Sequence, residues 1–129
     1  MKDMKVLLQE QADALRAVIR PMLAGHQMSV IEVKDPWEAA ALVARDAPDV
    51  VLLSATDVYE RGRDVPQLLA SGPLRTPTLI LGASEPRSMH VSRLPVDGYL
   101  PYPFDAPRLL QAIKSVVAAG ARQTLAAEV

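Results

Sequence analysis

The apolar residues of this chain fall into two patterns, short continuous runs and longer runs at helical spacing. The clearest continuous run covers residues 50–53, begins after Pro48 and Asp49, and stops at Ser54. A run of this kind is typical of a strand that is covered on both faces of a parallel sheet. Four further stretches predict strands: residues 6–8, 28–33, 78–81 and 96–100. Residues 28–33 alternate only loosely between apolar and polar, so this strand is expected nearer the sheet edge.

The first helical pattern follows the first predicted strand. Its apolar residues recur at i, i+3, i+4 and i+7, which predicts one buried face. The residues of that face are Leu15, Val18, Ile19, Met22 and Leu23. Pro21 lies inside the pattern and is expected to kink the helix or loosen its last turn, because proline lacks a backbone donor. Gly25 is the natural stop.

A second helix is predicted to begin at Asp35-Pro36-Trp37-Glu38. Asp35 can cap it, Pro36 suits its first position, and Glu38 has capping-box spacing. Small side chains would let this helix approach the sheet closely. Its face toward the sheet is expected to consist of Trp37, Ala40, Ala41 and Ala44. Trp37, the only tryptophan, is interpreted as a packing residue rather than a ligand platform.

The middle of the second half carries weaker signals. Residues 55–63 are polar and contain Gly62, which predicts a loop at the carboxyl edge of the third strand. Residues 65–69 predict a short third helix with Pro66 in its first turn. Residues 85–95, bracketed by Pro86 and Pro95, predict a short or irregular fourth helix.

The last helix is predicted to begin after Asp105, with Pro107 in its first turn. Its buried stripe is Leu109, Leu110, Ile113, Val116 and Val117. Gly120 is expected to end it. Residues 1–120 would then form the domain, and residues 121–129 a C-terminal tail or linker.

Strands and helices alternate five times along the chain, which predicts an α/β fold. Such a chain forms a parallel sheet with helices on both faces and right-handed crossovers. A length of 129 residues favours one domain. The net charge of −1 creates no global field toward nucleic acid or membrane, and the absence of cysteine excludes disulfides and thiolate sites. No apolar stretch is long enough to span a bilayer, so we expect a soluble cytoplasmic protein.

Several short pieces of the sequence stand in an order known from one family. They are Lys5-Val6-Leu7-Leu8, Leu15-Arg16, Pro48-Asp49 with the run that follows, Gly62 eight residues after Ser54, Thr76-Pro77, Thr78-Leu79-Ile80-Leu81, Gly98-Tyr99-Leu100 and Pro103-Phe104-Asp105. Over about residues 4–119 the chain thereby resembles the response-regulator receiver domain of two-component (phosphorelay) signalling. The resemblance implies a flavodoxin-like three-layer sandwich with sheet order 2-1-3-4-5, and a cis bond between Tyr102 and Pro103.

The positions that match the family's phosphorylation site are occupied unusually. The resemblance places the family's acidic pair on Glu10 and Gln11, and its phospho-accepting aspartate on Ser54. The family's hydroxyl residue after the fourth strand falls on Gly82, and its lysine falls on Tyr102. Only Glu10 keeps a related chemical type, so the site is predicted to be degenerate.

The missing groups bear on the chemistry that the family performs. Its aspartate takes a phosphoryl group while Mg²⁺ and a lysine neutralise the developing charge. A serine hydroxyl is a weak nucleophile without a base, and Glu10 beside Gln11 makes a poor magnesium site. We therefore expect no phosphorylation of Ser54, no metal or other cofactor, and no enzymatic activity. Asp57, on the predicted loop, is an alternative acceptor.

Two other classes of function, a hydrolase and a small-molecule sensor, could use residues near Ser54. A hydrolase would pair Ser54 with His26 or His90, but neither the G-x-S-x-G pattern nor a metal-binding histidine motif occurs. A small-molecule sensor would use the crevice at the carboxyl ends of the first and third strands. There the backbone of Gly82-Ala83-Ser84 could meet an anion. The sensor is the main alternative.

The leading hypothesis is a regulatory domain that acts on a protein partner, an attached output domain or a second copy of itself. The resemblance places the signalling and dimerisation surface on the predicted fourth helix, the fifth strand and the fifth helix, with Tyr99 as the switch aromatic. Its candidate residues are Arg87, Arg93, Tyr99, Tyr102, Arg108 and Lys114. Tyr102 is expected to occupy the place of the missing lysine. Direct nucleic-acid binding by this domain is not expected.

Overall fold

The chain forms one parallel sheet, as the sequence predicts. A computed structural model describes residues 3–71, 75–84 and 94–128. The strands are β1 (Met4–Gln9), β2 (Met28–Val33), β3 (Val50–Ser54), β4 (Thr78–Leu81) and β5 (Gly98–Leu100). All neighbours pair in parallel, and the order is β2-β1-β3-β4-β5. The predicted sheet order and the edge position of β2 are confirmed.

The helices are α1 (Asp13–Leu23), α2 (Pro36–Asp46), α3 (Ala55–Arg61), α4 (Val65–Ala70) and α5 (Ala106–Glu128). The predicted helix over residues 85–95 lies almost wholly outside the described residues, as do Arg87, His90 and Arg93. The peptide bond between Tyr102 and Pro103 is cis, as the resemblance implies. Among the described residues, no helix combines the length and apolar character needed to cross a membrane.

Two opposite layers of apolar side chains hold the helices against the sheet. In β3, Leu52 faces the layer shared with α1 and α5, whereas Val51 and Leu53 face the layer shared with α2, α3 and α4. Alternate residues of a strand point to opposite faces, so a strand that is covered on both sides needs a continuous apolar run. This explains why every residue of β3 is buried.

The prediction of a loop over residues 55–63 is wrong, because α3 starts directly after β3. Ser54 is the N-cap residue, with an extended backbone and a side-chain oxygen that accepts from the Asp57 N–H at 3.5 Å. Serine is among the residues preferred at this position. Buried Ala55 and Val58 then fix the short helix against the sheet.

The faces predicted for α1 and α2 are also wrong in part. In α1 only Ile19 and Leu23 are buried, while Leu15 and Val18 are 37% and 55% exposed. The side chain of Arg16 takes the inward position instead, where it donates to the carbonyl of Glu10 at 2.7 Å. The buried stripe of α1 therefore differs from the purely apolar one that the spacing predicts. Pro21 lies within α1, which continues to Leu23.

In α2 the buried residues are Pro36, Ala39 and Val43, not the stripe that begins at Trp37. Adjacent positions on a helix differ by about 100° in direction, and both stripes here are made of apolar or small residues. Packing against the rest of the fold therefore determines which of the two stripes is buried. Trp37 is 46% exposed, and its indole N–H donates to the Arg61 carbonyl at 2.9 Å.

Gly120 does not end the last helix, since α5 continues to Glu128. A helix tolerates an internal glycine at a cost of about 1 kcal/mol. Here the glycine permits close packing, because a Cβ atom at this position would lie 2.8 Å from Cγ of Pro77. The predicted buried stripe is confirmed at Leu109, Ile113 and Val116, while Leu110 and Val117 are half-buried. The proposed boundary at residue 120 stays a prediction.

Candidate functional site

The carboxyl ends of β1 and β3 meet the first turn of α3 and the segment after β5 at one cavity of about 270 Å³. Glu10, Gln11, Ser54, Asp57 and Tyr102 all line it. Gly82 lies directly beneath the Tyr102 ring. The structure therefore brings together the five positions predicted as degenerate and the alternative acceptor Asp57. Tyr99 instead packs against the apolar layer that β3 shares with α2, α3 and α4.

Ser54 is engaged in local structure. It is 5% exposed, and its N–H donates to Oε1 of Gln9 at 3.0 Å. Its hydroxyl oxygen accepts from the backbone of Asp57 as the helix cap. These contacts position the start of α3 relative to β1.

Gln9 is the site residue that the sequence analysis missed. It is fully buried, and its Nε2 donates to the Lys34 carbonyl and to Oδ2 of Asp57, both at 2.8 Å. The signal in the sequence was a polar residue at the end of an otherwise apolar strand. That signal indicates a strand end equally well, and so the partners of Gln9 could not be inferred.

Asp57 is the most strongly bonded carboxylate at the cavity. It is 3% exposed, and its Oδ2 accepts both from Gln9 and from the Gln11 N–H, the latter at 2.9 Å. Its Oδ1 lies 3.8 Å from Nη2 of Arg61. The residue was predicted on a loop, but its position in the first turn of α3 aims it at β1.

Glu10 supplies the second carboxylate. It is 5% exposed, and its Oε2 accepts from the Ala12 N–H at 2.9 Å. This contact holds the connection between β1 and α1. One oxygen of Glu10 and one oxygen of Asp57 are thus already engaged by protein N–H groups.

Tyr102 and Gly82 fit each other sterically. A Cβ atom at residue 82 would lie 2.7 Å from Cε2 of Tyr102, and the glycine adopts a φ of 95°. The Tyr102 ring also stacks on Phe104, with 5.1 Å between centroids and 16° between planes. Burial, and then the negative charges of Glu10 and Asp57, raises the pKa of the Tyr102 phenol. The phenol is therefore neutral near pH 7.

Comparison with known proteins shows what this chain resembles. The chain is 33% identical over 116 residues to the response regulator MprA of Mycobacterium leprae, a match that covers 88% of this chain and 51% of MprA. The chain spans about half the length of the curated relatives it matches. The chain is a receiver-like domain, similar in sequence to response regulators. No protein-family model matches it.

Solved receiver domains share the fold at low sequence identity. The signal receiver domain of a LuxO repressor protein from Vibrio parahaemolyticus superimposes with a TM-score of 0.74 at 18% identity, covering 96% of this chain and 97% of that one. The receiver domain of a sensor histidine kinase from Pseudomonas aeruginosa gives 0.76 at 20% identity, covering 90% and 98%. These similarities show that this receiver has the flavodoxin-like fold.

The residues of this receiver do not fit the magnesium ion that the family implies. Mg²⁺ demands near-ideal octahedral oxygen ligation, and carboxylates supply the negative charge that holds it. Glu10 and Asp57 each use an oxygen for N–H groups, while Gln11 and Ser54 bring no charge. Within the described ranges, no three histidine, cysteine, aspartate or glutamate side chains are grouped to hold a metal.

The hydrolase hypothesis fails for the histidine that the structure describes. His26 is exposed in the turn before β2, which is the amino edge of the sheet. Ser54 lies at the carboxyl end of β3, the opposite edge. His90, the other histidine considered, lies outside the described residues.

Proposed function

We propose that this receiver domain works in two-component signalling without being phosphorylated, by contact with a protein partner or an attached output domain. The observation that carries the proposal is the bonding of Asp57. Its Oδ2 accepts two hydrogen bonds, from Gln9 and from the backbone of Gln11. The position that the resemblance assigns to the phospho-acceptor holds Ser54, a helix cap.

The chemistry of the cavity supports this proposal. A serine needs a general base to attack a phosphoryl group, and the oxygen of Ser54 already accepts the Asp57 N–H. The Pseudomonas receiver is described with a magnesium ion in its active-site cleft. At the positions that the resemblance assigns to the family's acidic pair and phospho-acceptor, this chain has one carboxylate, Glu10, and one of its oxygens accepts from the Ala12 N–H.

Charge neutralisation supports it as well. Phosphoryl transfer needs positive charge beside the transferring oxygens. The position that the resemblance assigns to the family's lysine holds Tyr102, and a phenol carries no positive charge at any pH. Arg61 lies at the cavity, but its guanidinium is 3.8 Å from Asp57 and 3.7 Å from Glu60, which already balance its charge.

Contact with a partner would use surface that the structure leaves exposed. On α5, Arg108 and Lys114 are exposed, and β5 lies beside this helix. The match covers about half the length of the relatives, which is consistent with an output domain elsewhere in such proteins. Dimerisation through this surface and a cytoplasmic location stay predictions.

The small-molecule sensor gains no support from the observed contacts. The crevice of about 270 Å³ is at the lower limit of ordinary ligand pockets, which measure roughly 300–1,000 Å³. The anion contact predicted at residues 82–84 lacks its first backbone donor, because the Gly82 N–H already donates to the Leu100 carbonyl at 2.8 Å.

The experiment that tests the proposal is a titration with Mg²⁺ and beryllofluoride, a mimic of the aspartyl phosphate, followed by NMR and thermal shift. A ligand that binds only the folded state raises its stability. We expect no saturable response, whereas a receiver with an intact aspartate, titrated in parallel, should respond. A saturable response would contradict the proposal. Its loss in Asp57→Asn would then identify Asp57 as the acceptor.

A further inference from the structure

We propose that Gln9 is a built-in conformational restraint, which holds the pocket of this receiver in one state. The residues involved, here called the Gln9 network, are Gln9, Gln11, Lys34, Ser54 and Asp57. The inference deepens the proposed function, on which it rests, by naming the contact that takes the place of a phosphorylation-dependent switch.

A single side chain connects four segments of the fold. Both donors of the Gln9 amide are used, one to the carbonyl of Lys34 after β2 and one to Asp57 in α3. Its oxygen accepts from Ser54 at the end of β3. Gln9 itself ends β1, so the amide joins the carboxyl edges of three neighbouring strands to a helix.

The network extends beyond the residues that Gln9 touches. Through Asp57 the network includes the loop before α1, because the Oδ2 atom that accepts from Gln9 also accepts from the Gln11 N–H. Asp57 also lies in the first turn of α3, whose start is capped by Ser54. Movement of either residue out of the pocket would disturb the first turn of α3.

Burial makes the network cooperative. Gln9 is fully buried, and Asp57 and Ser54 are 3% and 5% exposed. Breaking one contact would leave a buried donor or acceptor without water, and such groups are costly when unpaired. Opening one bond therefore favours opening the others, so the pocket either keeps all these contacts or loses them together.

The test is amide hydrogen exchange measured by NMR on the unmutated protein and on Gln9→Met. In the unmutated protein, the Gln9 side-chain amide should exchange at least tenfold more slowly than that of exposed Gln67. In Gln9→Met, the Gln11 N–H should exchange about tenfold faster, although Gln9 does not bond it. Gln67→Met makes the same chemical change on α4 and should leave the Gln11 rate within about twofold.

A Gln11 rate that is unchanged in folded Gln9→Met would overturn the restraint, since Asp57 would then hold its place without Gln9. If Gln9→Met does not fold, Asp57→Ala provides the decision. It should accelerate exchange of the Ser54 N–H, whose acceptor is Gln9, and an unchanged Ser54 rate would overturn the inference. The beryllofluoride titration is read separately, so a failed restraint and a phosphorylated receiver give different results.

Discussion

Residues Gly82 and Tyr102 form one structural unit at the carboxyl edge of the sheet. The tyrosine ring occupies the space where a side chain at residue 82 would stand. An ordinary residue with a hydroxyl at that position would collide with the ring. At the scale of single residues, the glycine at position 82 and the tyrosine at position 102 are thus sterically linked.

Substitution of Gly82 by alanine tests this link. Gly82→Ala should lower the free energy of unfolding by about 2–3 kcal/mol, because it adds a contact of 2.7 Å with Tyr102 to the cost of a left-handed backbone. Gly25→Ala is the matched control, since Gly25 has a φ of 78° but open space around it, and should lose only about 1 kcal/mol. Urea unfolding measures both; equal losses would show that the ring yields freely.

The ionisation of Tyr102 gives a test by pH. Burial, with help from the charges of Glu10 and Asp57, raises its pKa above the ordinary value of 10.0. The neutral phenol therefore contributes stability below the unfolded pKa, and this contribution is lost as pH rises through the folded pKa. Absorbance titration, with Tyr102→Phe subtracted, should show late ionisation.

Replacement of Glu10 separates the causes of that shift. Glu10→Gln should move the pKa of Tyr102 back toward its ordinary value, because it removes one neighbouring negative charge. Glu38→Gln, on the exposed surface of α2, should leave the titration unchanged. An identical curve for the Glu10 variant would leave burial and the charge of Asp57 as the causes.

At the scale of individual elements, the helices differ in whether a side chain accepts from the backbone N–H groups of the first turn. The Asp35 side chain accepts from Trp37 and Glu38 at the start of α2, whereas Asp64 makes no side-chain cap at the start of α4. Aspartate is a preferred N-cap residue, so residue type alone is compatible with a cap at both positions. Only the backbone conformation decides, since Asp35 is extended and Asp64 is helical.

These two aspartates form a matched pair for mutation. Asp35→Ala should lower the free energy of unfolding by about 1 kcal/mol through loss of the cap. Asp64→Ala should change it by less than about 0.5 kcal/mol, as is usual for a surface substitution. Thermal or urea unfolding of both variants checks the difference, and equal effects would contradict the assigned role of Asp35.

At the scale of the whole molecule, β3 joins the two apolar layers into one folding unit. Adjacent residues Leu52 and Leu53 are both fully buried, yet they belong to opposite layers. A change in either layer should therefore weaken the same cooperative transition.

Alanine substitutions in β3 test whether the two apolar layers unfold together. Leu52→Ala and Leu53→Ala should each cost about 2–5 kcal/mol, with one transition and an unchanged dependence on denaturant. Val18→Ala is the control, because Val18 is 55% exposed on α1 and should change stability by no more than about 0.5 kcal/mol. Two separate transitions in either β3 variant would show that the layers unfold independently.

The sequence by itself determined the strands, their order through the family resemblance, the Asp35 cap and the residues that gather at the carboxyl edge. Local patterns carry these features, since burial on both faces requires a continuous apolar run. The tertiary structure alone decided the buried stripe of α2, where neighbouring stripes are equally apolar. It also decided the pairing of Gln9 with Asp57, because the two are 48 residues apart and a hydrogen bond across that separation leaves no periodic signal in the sequence.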